Sequence, residues 1–213
     1  FMTAKIKLNA ASGGGSVALE APSSCSNNRV ITLPDIADGT LLTNQSSLDS
    51  TKLSPAIAAG ITMADQWRIT STFQVSSNTY ITTNWERNDT TGYSKIGTGM
   101  SESSGVFTFP ATGIYLVGIN LTGNADSGGF NYIACSIYTT INNSSYTQSA
   151  STYESVDASN RHWAMATEFI FDVTDVSNCK VKFFVGASNT NPYVYGDGSL
   201  NTTFAHFTRL GDT

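Results

Sequence analysis

His162 and His206 are the two side chains of this 213-residue sequence able to exchange a proton near neutral pH. Both fall inside segments rich in Val, Ile, Phe and Tyr. His206 stands between Phe204 and Phe207, which we read as a structural histidine near a symmetry axis or rim; the sharper reading is a pH-sensitive cluster of His206 copies. Glu86, Asp89, Glu102, Glu154, Asp157 and Glu168 are the carboxylates to test for paired acid/base work, and no spacing pairs any two of them. Asp126, Asp172, Asp175 and Asp197 are scattered among turn residues and lack the alternation of a calcium loop, so ordinary Asx turns are expected and the metal question stays open. Cys25, Cys135 and Cys179 are odd in number and widely spaced, which is neither a disulfide framework nor a zinc pattern; buried free thiols are expected. Gly13-Gly14-Gly15 precedes no helix and forms no phosphate cradle. No nucleophile elbow, nucleotide-binding loop or zinc-protease motif is present, so the expectation is a protein without catalysis or cofactor. Trp85, Tyr93, Tyr193 and Tyr195 are candidates for a sugar platform, with core or interface packing as the plainer role for at least half of them.

Composition says what must position these groups. Charged residues make up 13% of the chain and the net charge is −5. The sequence holds 27 Ser, 28 Thr and 17 Asn, so its polarity rests on hydroxyls and amides. That excludes helical bundles and coiled coils, and an acidic balance excludes nucleic-acid binding by charge. Hydrophobic residues at 40% are enough for a core. No apolar run is long enough for a membrane-spanning helix, and residues 1–7 hold no apolar leader stretch, so no membrane insertion and synthesis in a reducing compartment are expected.

Two regions differ in texture. Residues 1–45 carry one aromatic, Phe1, and three short apolar segments containing Ile6 and Leu8, Val17 and Leu19, and Val30, Ile31 and Leu33. Such strands make no core of their own. We read them as an assembly or attachment arm that packs on its own main domain, on a larger structure or, as we favour, on copies of itself. Residues 46–66 read as a linker with one helical turn at Pro55. From residue 67 to 213 the pattern is all β, with strands expected at 68–75, 80–85, 105–109, 113–122, 132–142, 162–173, 180–186 and 202–210. The intervening polar stretches 86–104, 124–131, 142–161 and 188–201 are expected to be contact loops.

The segment Ile114–Leu121 has two sides. Tyr115, Val117, Ile119 and Leu121 are uniformly apolar and belong in a core, with Phe107, Phe109 and Phe207. Ile114, Leu116, Gly118 and Asn120 are mixed and small, without the Lys or Glu of a solvated face. A face that is neither core nor charged meets a partner chain. With Phe204 and Leu210 it defines the expected subunit interface: Ile114, Leu116, Gly118, Phe204 and Leu210.

These residues resemble a known family. Gly105-Val106-Phe107-Thr108-Phe109-Pro110-Ala111-Thr112-Gly113-Ile114-Tyr115-Leu116 is similar to the signature of C1q/TNF-like domains, and Asn201–Leu210 is similar to the family's closing strand. Ala205-His206 and Leu116-Val117 depart from the usual pattern, and no collagen stalk precedes the domain. The arm, over residues 5–43, resembles the start of virion structural proteins of marine phages, especially cyanophages. The resemblance implies an all-β C1q/TNF-like jelly-roll sandwich behind a short β arm, assembled as a homotrimer on the virion surface. The implied function is a short fibre or capsid decoration protein, joined to other virion proteins through the arm. The alternative is a receptor-binding tip that reads a host surface glycan or protein; a third is a secreted C1q-like binding module.

Overall fold

The computed structural model describes residues 5–9, 12–14, 16–20, 60–76 and 78–213. Two compact units divide the chain, one within Phe1–Asp49 and one within Ser50–Thr213.

In the first unit, β1 (Lys5–Asn9) pairs antiparallel with β2 (Ser16–Glu20), and Ile6 faces Leu19 in register as Leu8 faces Val17. Gly13 and Gly14, at φ 87° and 69°, supply the left-handed backbone of the connection. Val30, Ile31 and Leu33, like the turn expected at Pro55 and the thiol of Cys25, lie outside the described residues.

The second unit is all β, without a helix among its described residues. It opens with β3 (Ala64–Ile69) and β4 (Ser71–Gln74), then β5 (Thr79–Tyr80), β6 (Trp85–Arg87), β7 (Ser101–Ser103) and β8 (Val106–Thr108). Longer strands follow: β9 (Gly113–Ala125), β10 (Phe130–Thr140), β11 (Thr147–Val156), β12 (Arg161–Val173) and β13 (Lys180–Ala187). The chain closes with β14 (Pro192–Asp197) and β15 (Phe204–Gly211). Several boundaries differ from the sequence reading. The strand expected at 68–75 starts at Ala64 and breaks at Thr70. The one expected at 80–85 divides between β5 and β6, because Asn84 adopts φ 63° and reverses the backbone. Two stretches expected as loops, 142–161 and 188–201, contain β11 and β14.

The strands form two antiparallel sheets. One runs β11-β10-β13-β8-β7, with β5 paired to β13 beyond the end of β8. The other runs β4-β14-β9-β15-β3-β6, with β12 on the remaining edge of β9. Strand β9 is the axis of this second sheet. Its thirteen residues pair with β12 from Gly113↔Val173 to Ala125↔Arg161 without a register shift. Its opposite edge is shared by β15 and then β14.

The period of two puts Tyr115, Val117, Ile119 and Leu121 into the space between the sheets, where all four are fully buried. Phe107 of β8 is the aromatic hub. Its ring lies 5.6 Å from Trp67, 5.0 Å from Trp85, 5.5 Å from Phe183 and 5.1 Å from Phe207. Edge-on rings at these spacings add to simple area burial. Phe109 packs on Tyr115 at 4.7 Å and on Phe171 at 5.6 Å. Gly113, at φ 146°, turns the chain between Phe109 and Tyr115, and the Tyr115 hydroxyl donates to the Ala111 carbonyl at 2.9 Å.

Candidate assembly face

The outward side of the β9 sheet holds the residues singled out for chain–chain contact. Register sets the rows. Leu116 lies between Ile170 of β12 and Thr208 of β15; Asn120 lies between Ala166 and Phe204. Ile170 is 60% exposed, which is high for a residue in the middle of a long strand. Ala164 and Ala166 are exposed beside it, and Ile114, Leu116 and Phe204 are half-buried. Carboxylates enter the face through Glu168 and Asp172, the register partners of Gly118 and Ile114. Ile170 and Ala166 of β12 continue the apolar positions Ile114 and Leu116 of β9, and the two carboxylates interrupt them.

Gly118 occupies a special place. It pairs with Glu168 on one side and His206 on the other. The imidazole of His206 lies over it, so that a Cβ at Gly118 would collide with the ring. Across the glycine, His206 Nε2 and Glu168 Oε1 meet at 3.2 Å. Gly118 is therefore buried under its own chain, and the imidazole is what this row presents. Leu210 is exposed but does not continue the row of Phe204, His206 and Thr208, because a bulge shifts the register between Arg209 and Gly211.

Two ionic clusters hold residues 86–100 to β3, one on each side of the strand. Arg68 of β3, the register partner of Phe204, is fully buried. Its guanidinium donates to Glu86 at 3.2 Å, Asn88 at 3.1 Å and Thr90 at 2.8 Å, and pairs with Asp89. Asp65 is buried and satisfied on every side. It accepts from Trp67 Nε1 at 3.0 Å, the Met100 amide at 2.8 Å, the Tyr93 hydroxyl at 2.7 Å and Arg87 Nε at 3.2 Å. Burial and the hydrogen bond to Asp65 push the Tyr93 hydroxyl up to about 12. Together these contacts fasten residues 86–100 onto the sheet, leaving a cleft of about 320 Å³ between Tyr93, Gln66 and His206. The sequence signal for this anchor was weak, since Asp65 falls in the stretch read as linker.

The remaining candidates are dispersed. Trp85 packs on Phe107 and Phe183 and donates to the Ile81 carbonyl at 2.9 Å; Tyr93 is held by Asp65; Tyr195 contacts His162 at 3.2 Å. Trp85 and Tyr93 are thereby committed to packing and to the Asp65 cluster, and the four aromatics form no single platform. Asp175 accepts from the Ser177 amide at 2.7 Å, which lowers its pKa, and Asp197 accepts from the Ser199 amide at 2.7 Å; both are Asx turns. Cys135 and Cys179 are buried free thiols, and burial pushes Cys135 up to about 12. No group of three metal-ligating side chains occurs among the described residues, and no helix long and apolar enough to cross a membrane occurs among them.

No protein-family model matches the sequence, and no curated protein does. Solved structures do. Eiger TNF from S. frugiperda superposes with a TM-score of 0.54 at 13% identity, covering 72% of this chain and 96% of that one. Murine APRIL at pH 5.0 gives 0.49 at 11% identity over 70% and 98% of the two chains, and the PRD1 vertex protein P5 gives 0.43 at 15% over 72% and 100%. The Eiger superposition and the two antiparallel sheets define the class: a TNF-like jelly-roll sandwich. At this identity the likeness is one of fold, and function is argued from the surface.

Proposed function

We propose that this chain is a structural protein of a phage particle, a short homotrimeric fibre or capsid decoration protein whose jelly roll stands on the particle surface and whose N-terminal arm joins other virion proteins. One observation carries the assembly. The outward side of the β9–β12–β15 sheet presents Ile170, Leu116, Phe204 and Ala166 around the Glu168–His206 contact, with Arg68 sealed beneath residues 86–90. A sheet face of this composition is stabilised when copies of itself exclude water from it. The particle setting draws on the arm, whose order of strand, glycine turn and strand resembles phage virion proteins and whose β1–β2 hairpin is too small to be stable alone. On this reading the chain binds and displays and does not catalyse.

Light scattering on the purified chain tests the assembly: three copies of 22.7 kDa are expected, and a monomer at micromolar concentration overturns it. Ile170→Glu with Leu116→Glu is expected to yield monomers with unchanged strand content. Deleting residues 1–45 is expected to abolish particle binding while the trimer persists. A truncated head that still binds particles removes the arm from the attachment role.

A further inference from the structure

The outer face of the other sheet, the one built on β10 and β13, carries a feature that assembly does not explain. In the middle of β10, Ala134 and Ser136 point outward and are nearly inaccessible, and Ala134 pairs with Gly186 of β13. Three small residues, Ala134, Ser136 and Gly186, make a trough between aromatic side chains. Tyr132 and Tyr153 rise at one end, their rings 6.3 Å apart; Tyr138 and Phe184 close the other, 5.5 Å apart. Tyr153 is 63% exposed. The trough measures about 250 Å³, below the range of about 300–1,000 Å³ for drug-sized ligands.

Its polar groups are amides and hydroxyls. Ser136 Oγ lies 2.9 Å from Ser151 Oγ and accepts from Gln148 Nε2 at 3.1 Å. Asn78 Oδ1 accepts the Ala187 amide at 3.0 Å, and its Nδ2 hydrogens have no partner among the described residues. No charged side chain lines the trough among the described residues. The nearby ammonium of Lys182 is stacked over Tyr146 at 4.1 Å and Tyr80 at 5.1 Å.

We propose that this trough binds a neutral pyranose, as a free sugar or as a residue of a longer glycan. A pyranose has an apolar C–H face that an exposed tyrosine ring covers, and hydroxyls that neutral amides and serines satisfy in both donor and acceptor roles. The trough is too small to seat a protein, which needs about 800 Å² on each partner. It holds no counter-charge for an acidic sugar. It lies on the sheet opposite the Gly118 row, so trimer formation through that row leaves it open, and the proposal stands whether or not that assembly occurs.

Saturation-transfer NMR on the full chain tests it, with methyl α-glucoside, methyl β-galactoside and N-acetylglucosamine as probes and N-acetylneuraminic acid as the charged comparison. At least one neutral sugar is expected to receive saturation at millimolar concentration and to shift the backbone amides of Ala134 and Gly186. Tyr153→Ala is expected to weaken binding about tenfold, the scale of one lost aromatic contact, while Tyr153→Phe retains it. The side chain is exposed, and circular dichroism confirms that the variant is folded. Absence of signal from all three neutral sugars, binding confined to the acidic sugar, shifts mapping elsewhere, or Tyr153→Ala binding as the wild type does would each overturn the proposal.

Discussion

His206 and Glu168 belong to strands that never touch, yet their side chains meet at 3.2 Å because the residue between them, Gly118, has no side chain to keep them apart. The glycine weakens the strand locally but lets two polar groups close over an otherwise apolar sheet face. Gly118→Val is expected to improve strand propensity and still destabilise the head. The new methyl groups push the imidazole off the sheet and separate it from Glu168, at a cost of about 1–3 kcal/mol for overpacking. Urea denaturation measures the loss; the histidine ring resonances in NMR show whether the ring has moved. An unshifted ring would remove the steric account.

The two ionic clusters under residues 86–100 differ in how their members fare when a partner is lost. Asp65→Ala strands the Met100 amide and the Trp67 Nε1 hydrogen in the interior, together with the partly covered Arg87. A cost of about 1–3 kcal/mol for each stranded donor is expected. Arg68→Met is expected to cost less, because the side chains of Glu86 and Asp89 are 38% and 70% exposed and rehydrate in place. Equilibrium denaturation of both variants gives the order, and Arg68→Met as the more damaging change contradicts it.

Alkaline pH is expected to destabilise the head ahead of any chemical damage. The Cys135 thiol rises from 9.0 to about 12 on folding and the Tyr93 hydroxyl from 10.0 to about 12, so between these limits the unfolded chain has lost protons that the folded chain keeps. Stability from both groups is complete below pH 9.0 and is lost as pH climbs toward 12. Denaturation midpoints measured up that range should fall, and Cys135→Val should flatten the first part of the decline. A midpoint that is level in the wild type removes the linkage.

A chain consisting of residues 60–213 is expected to fold without the arm, since every strand of both sheets begins at or after Ala64. A cooperative thermal transition with full near-ultraviolet circular dichroism is the expected result. A molten fragment would show that the arm completes the core.

What the sequence disclosed follows from strand chemistry. Strands β9, β12, β13 and β15 alternate large apolar residues at period two and were legible as they stand. Strand β11, TQSASTYESV, is mostly hydroxyl-bearing, and its inward side offers only Ala150 and Val156 as apolar residues, so composition alone reads it as loop. Strand β14, PYVYGD, begins at Pro192 and is flanked by Asn, Ser and Gly residues that read as turn. The outward side of β9 was legible at Ile114 and Leu116, because one strand suffices to see an apolar second side. His206 over Gly118, and Tyr153 beside Ala134, depend on which strand lies next to which and in what register. That information is long-range, and no local pattern carries it. The bulge between Arg209 and Gly211 is equally silent in the sequence, since it resets the alternation without a marker in composition.

The unbroken ladder between β9 and β12 also has a mechanical meaning. Thirteen residue pairs, Gly113↔Val173 through Ala125↔Arg161, lie side by side along one axis. A tug parallel to that axis loads every rung at once, so the pair yields only when many rungs rupture together; a tug at one tip would peel them off in turn. The direction from which force arrives thus decides how much strain the head withstands before it opens.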